Sequence, residues 1–141
     1  MRSLILALSA MLGMAACSEA GTMPAVTLDR AERFIGLPVP ERATQVRAAG
    51  EQGRDELVLL SFEADDRVAR DYAARLLGAA PVPGRDPELF YLGEDVSWWP
   101  RRPPPGFEGG ETRRDDNCTI KLLLAPTVDQ PTRVFVAAFT Q

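Results

Sequence analysis

Hydrophobic positions along the chain fall into distinct rhythms, and each predicts an element. After Arg2 the residues from Leu4 to Ala16 form one uncharged, almost wholly apolar run. Further on, Ala31, Phe34 and Ile35 make a helical stripe behind Asp29-Arg30-Ala31-Glu32, which has the form of a capping box. Gly36 stands in a C-terminal stop position, so the spacing predicts a short helix over 29–35. Leu37-Pro38-Val39-Pro40 ends it, because proline cannot continue helical hydrogen bonding. Residues 44–49 alternate, Gly50-Glu51-Gln52-Gly53 signals a turn, and Glu56–Glu63 completes a hairpin. In that second strand Val58, Leu60 and Phe62 share one face while Leu57 and Leu59 share the other. A strand apolar on both faces belongs in the middle of a sheet.

The strongest helical pattern runs from Arg67 to Leu77. Val68, Ala69, Tyr72, Ala73, Leu76 and Leu77 make its apolar face, and Arg67, Arg70, Asp71 and Arg75 its outer one. Asp65 or Asp66 can cap it, and Gly78 closes it. Residues 79–117 then lose regularity and hold 7 of the 12 prolines. A 39-residue irregular stretch is long for a compact domain, so short strands are expected within it, at Glu88–Gly93 and Asp95–Trp99. Two further strands follow, Thr119–Ala125 and Thr132–Thr140. In the second, Phe135, Ala137 and Phe139 oppose Val134, Val136 and Ala138. Strands arriving in adjacent pairs favour an antiparallel sheet. The expected fold is α+β: about four to five antiparallel strands, one main covering helix, one short N-terminal helix and a Pro-rich irregular insert.

Composition narrows the chemistry. The 141 residues include no histidine, which removes the commonest general base and the commonest transition-metal ligand. A formal charge of −4 has the wrong sign for a surface that tracks phosphates, so nucleic acid is not an expected partner. Neither a calcium-loop spacing nor a Gly-rich phosphate loop leading into a helix is present, and no metal or cofactor is expected.

The first apolar run, about 13 residues, is shorter than the roughly 20 that a helix needs to cross hydrocarbon. With one preceding positive charge and small residues behind, it reads as a secretory signal. Its end, Met14-Ala15-Ala16-Cys17, resembles the lipobox of bacterial lipoproteins, although Met14 stands where that family usually has Leu. That resemblance implies that Cys17 is the lipid-modified first residue of the mature chain. Residues 1–16 would then be signal peptide, 17–27 a tether and 28–141 a single domain. The acylated Cys17 would make the membrane a partner. Ser18 in place of Asp implies the outer membrane, facing the periplasm. The other reading of Cys17 is a buried thiol, or a disulfide with Cys118, after ordinary signal cleavage. If Cys17 carries lipid, Cys118 stands alone in an oxidising compartment, packed as a small hydrophobe, bridged between molecules or reactive.

Three carboxylate pairs, Asp65-Asp66, Glu94-Asp95 and Asp115-Asp116, read first as solvated turn charge. Glu94 and Asp95 also precede Trp98-Trp99, and carboxylates beside indoles are the ingredients of a sugar site. The stretch from Trp98 to Gly106 holds both tryptophans, Arg101, Arg102 and a run of three prolines. One indole is expected in the core. The other, with Arg101 and Arg102, forms a recognition ridge on a rigid backbone. Arg113-Arg114 opposite Asp115-Asp116 reads as a self-paired loop, and Gly106–Gly110 as flexible. The functional expectation is a small cell-envelope lipoprotein acting by binding, without a catalytic set, on an envelope protein or a glycan. The alternative is a glycan- or peptidoglycan-directed protein, binder or carboxylate-based enzyme, using the region from Glu94 to Trp99.

Overall fold

The computed structural model describes residues 22–141. Cys17 and the signal segment lie outside them. The element order is α1 (Leu28–Ile35), β1 (Thr44–Glu51), β2 (Leu57–Ala64), α2 (Asp66–Leu77), β3 (Val82–Pro83), a 3₁₀ turn (Phe90–Gly93), β4 (Glu108–Arg113), β5 (Cys118–Thr127) and β6 (Gln130–Thr140). All strands join one antiparallel sheet in the order β1-β2-β6-β5-β4-β3. The fold is α+β, with six strands instead of four to five.

The two-faced patterns of β2 and β6 explain the layering. Val58, Leu60 and Phe62 of β2, with Val134, Val136 and Ala138 of β6, pack beneath both helices, against Ala31, Ile35, Ala69, Tyr72 and Ala73. The opposite faces, Leu59 of β2 and Phe135 and Ala137 of β6, meet Leu89, Val96 and Trp99 of the insert. The Pro-rich insert is therefore the second covering layer. It does this without the strands expected in it: Phe90–Gly93 is a 3₁₀ turn, and residues 94–99 are turns held by hydrogen bonds from Val96 N to Gly93 O and from Trp99 N to Val96 O. Leucine and aromatic side chains suit a strand, but a chain that must pass Pro87 and present Leu89 and Trp99 downward onto a sheet has to coil.

Of the glycine run expected to be flexible, Glu108, Gly109 and Gly110 open strand β4, while Gly106 and Phe107 precede it. A Cβ on Gly109 would strike the Arg85 carbonyl, and one on Gly110 would lie 2.6 Å from Leu77 Cδ1. Glycine stands at both positions because the insert and α2 press on the two faces of this strand. Helix α1 begins at Leu28, two residues earlier than a capping box opening on Asp29 implies. Its cap is Thr27, whose Oγ1 accepts from Arg30 N at 3.3 Å, and not Asp29. β1 also runs through Gly50 to Glu51, so the turn follows it.

The segment read as a tether is in contact with the sheet where it is described. Met23 is buried in the insert-side core, Ala25 bridges Ala49, and Gly50 N donates to Pro24 O at 2.9 Å. At the start of α2, Thr132 Oγ1 donates to Asp66 Oδ1 at 2.8 Å. Arg70 binds Asp66 Oδ2 at 2.8 Å and Glu108 at 2.5 Å, tying the helix to β6 and β4.

Candidate functional site

Because side chains alternate along each strand, the insert-side face of the sheet can be read row by row. Near the β1–β2 turn it carries Ala49, Leu57, Leu59, Ala137 and Phe139. Toward the opposite end, register pairs Arg47 with Ser61 and Ser61 with Phe135, then Glu63 with Arg133 and Arg133 with Ala125. The face thus changes from apolar to polar at the row where the insert's cover ends. Trp99 is 2% exposed and stands edge-on to Phe135, with centroids 5.5 Å apart, and its Nε1 donates to Leu89 O at 2.9 Å. Trp98 packs edge-on to Trp99 at 5.9 Å and remains half-buried at the border.

Beyond Trp98 lies a cleft of about 580 Å³ between the insert and the polar end of the sheet. Arg47, Glu63, Trp98, Pro104, Gln130 and Arg133 are among its walls. Arg133 Nη2 and Glu63 Oε1 form a cross-strand ion pair at 2.6 Å. Arg47 follows a break in the β1 register, where Gln45 adopts a φ of 51°. Such a bulge re-aims the side chains around it. A small recess beside the cleft is again lined by Arg47, Trp98 and Arg133, together with Ser61 and Gln45.

The four residues of the expected recognition ridge therefore separate. Trp99 is core and also borders the cleft, which Trp98 lines with a half-buried ring. Arg101 Nη1 donates to the Glu94 carbonyl and lines a second cavity of about 610 Å³ with Phe90, Tyr91, Glu94 and Asp95. Arg102 is exposed and lines neither cavity. Glu94 and Asp95 accordingly share their cavity with Tyr91, which is 58% exposed, and not with either indole.

Arg113-Arg114 and Asp115-Asp116 are only partly a self-paired loop. Arg114 binds Asp116 at 3.0 Å, and that pairing holds the Asp116 carboxyl below its ordinary value. Arg114 also reaches back to α1, donating to Ile35 O at 2.6 Å and Phe34 O at 2.9 Å. Cys118 is fully buried at the start of β5, and burial pushes its thiol pKa up, which suits a packed side chain more than a nucleophile.

Two residues of the insert side escape a reading of local pattern. Arg47 sits in a strand of weak alternation, and its meeting with Trp98 joins segments 51 positions apart. Lys121 is the sole lysine against 15 arginines, a compositional signal that could have drawn notice. It is buried, with Nζ 3.3 Å from Glu88 O, 3.6 Å from Glu111 and 6.0 Å from the Tyr91 and Phe139 ring centroids. There it fastens the insert to β5. Among the described residues no helix is long and apolar enough to cross a membrane. Comparison of the chain with models of protein families, with curated proteins and with solved structures finds no match.

Proposed function

We propose that the protein is a small lipid-anchored component of the bacterial cell envelope that acts by binding, through the cleft bordered by Trp98. The observation that carries the binding reading is the contrast between two adjacent indoles. Both indoles line a polar-walled cleft of ligand size, but Trp99 is buried in the core, whereas Trp98 keeps an accessible side there. The anchor rests on Met14-Ala15-Ala16-Cys17.

Geometry supports a consistent orientation. Pro24 and Ala25 lie against Gly50 and Ala49, so the N-terminal segment meets the sheet near the β1–β2 turn, while Glu63, Thr127, Gln130 and Arg133 lie at the other end. Five residue steps from Cys17 to Thr22 span at most about 18 Å. A lipid on Cys17 would hold the first end near the bilayer and turn the cleft away from it.

Mass spectrometry of the membrane-fraction protein tests the anchor. The expected species is residues 17–141 plus acyl mass, and Cys17→Ser should release the domain from the membrane fraction. An unmodified chain beginning elsewhere overturns the anchor. For the cleft, a photo-crosslinker at position 98 in intact envelopes should give a discrete adduct that one at the far-side position 82 does not; identical patterns overturn it. The glycan-directed alternative has its own observation, Tyr91 exposed beside Glu94 and Asp95. It predicts retention on purified cell-wall glycan that Tyr91→Ala abolishes and Trp98→Ala leaves intact.

A further inference from the structure

The cleft carries a surplus of hydrogen-bond donors, and its chemistry defines what fits. Among the described residues the Arg47 side chain makes no ion pair or hydrogen bond, although the bulge in β1 places it on the cleft wall. Among the described residues the indole Nε1 of Trp98 has no partner, in contrast to that of Trp99. Arg133 has one carboxylate partner among the described residues, Glu63, and its side chain remains half exposed. Arg47 and Arg133 against Glu63 leave one net positive charge, in a chain whose formal charge is −4. A guanidinium presents a planar fork that matches a carboxylate in two parallel hydrogen bonds. The other walls combine flat apolar groups, the Trp98 ring, Pro100 and Pro104, with the uncharged polar side chains of Ser97, Thr127 and Gln130.

We infer that the cleft binds a singly charged carboxylate carried on an apolar, preferably aromatic, body. The carboxylate meets Arg47 with help from Arg133, and the body lies on Trp98. One net positive charge balances one carboxylate, whereas a phosphate monoester near neutral pH brings close to two negative charges. This inference rests on the cleft's being the binding surface and adds the class of ligand. The carboxylate has two possible sources, a free aromatic acid or the C-terminal end of a peptide, and the experiment separates them.

The full-length chain, purified in detergent, is titrated with phenylacetate, with phenylacetamide, and with an N-acetylated dipeptide ending in Phe as its free acid and as its amide, using calorimetry and indole fluorescence. Saturable binding of an acid with at least tenfold weaker binding of its amide is expected, and Arg47→Gln should remove that preference while Arg102→Gln retains it. Preference confined to phenylacetate identifies a small acid, and preference confined to the dipeptide identifies a chain end. Equal, Trp98-dependent affinity for acid and amide overturns the carboxylate while the cleft stands. Absence of saturable binding up to the millimolar range also overturns it, and the crosslinking comparison then decides separately on the cleft. Unchanged unfolding of Arg47→Gln shows that its effect is on binding.

Discussion

Arg114 closes the C-terminus of α1 from 79 residues away, its Nη1 donating to Ile35 O at 2.6 Å. A helix leaves its last carbonyls without internal partners, and a cation there also meets the negative end of the helix dipole. Gly36 makes room for this approach. It adopts a φ of 88°, and a Cβ there would lie 2.9 Å from Arg114 Nη1. Arg114→Ala should therefore cost about 1–2 kcal/mol in urea unfolding, and Gly36→Ala a similar amount from backbone strain alone. Arg113→Ala, which removes only an exposed bond to Asn117, should cost less than about 0.5 kcal/mol. Equal effects at 113 and 114 would contradict the capping role.

Phe62 is fully buried between the sheet and α2, while Leu76 is only partly covered. Phe62→Ala should cost about 3–5 kcal/mol and Leu76→Ala roughly 1–2, since the cost follows the volume left empty and the area lost. On the other face, Trp99→Ala removes a buried ring and one of two donors to Leu89 O, the other being Leu92 N, and about 3–5 kcal/mol is expected. Trp98→Ala should cost less than half of that, and the two are compared by thermal unfolding. Comparable losses would mean that Trp98 is core and the cleft has no free wall.

How far these elements were legible in the sequence follows from the range over which each is determined. β2 and β6 are readable because period-two alternation records local geometry, and their two apolar faces already require cover on both sides. What supplies the second cover is not local. Leu89-Phe90-Tyr91-Leu92 has strand composition, yet it winds into a 3₁₀ turn pinned to the sheet by Lys121 at Glu88 O and by Trp99 at Leu89 O. β4 was hidden for the reverse reason: Gly109 and Gly110 have poor strand propensity but are imposed by Arg85 and Leu77. The cleft was the least legible. Trp98 stood out by composition, but Arg47 and Arg133 join it only through strand register.

The Asp66 carboxylate accepts from Arg70 and from Thr132, and these bonds lower its pKa below the ordinary 3.8. A carboxyl whose folded pKa is depressed adds stability above its unfolded pKa and loses it as pH falls through the folded one. The stability difference between the native chain and Asp66→Asn should thus be constant between about pH 5 and 7 and shrink below about pH 4. Urea unfolding at stepped pH measures it. A difference unchanged down to about pH 2 would assign the effect to packing at the α2 N-terminus instead of charge.

Tyr72 gives the opposite sign at both ends of the argument. Its ring stands edge-on to Phe62, centroids 5.0 Å apart, but its hydroxyl is buried with no hydrogen-bond partner among the described residues. Leaving a buried hydroxyl unpaired forfeits its hydration, so Tyr72→Phe, which keeps the ring, should raise stability by about 1 kcal/mol. Burial, with the Glu32 carboxylate nearby, also raises the phenol pKa well above its ordinary 10.0. A group whose folded pKa is raised retains its proton in the fold while the unfolded chain releases it, so stability falls as pH rises past about 10. Cys118, shifted upward from 9.0 by burial, begins the same loss about one unit lower. Tyr72→Phe should accordingly remove the loss above about pH 10 and leave the earlier one, which Cys118→Ala should diminish. Unfolding followed by circular dichroism from pH 7 to 11 distinguishes the two. A less stable Tyr72→Phe chain with an unaltered alkaline limb would show that the hydroxyl has a partner after all.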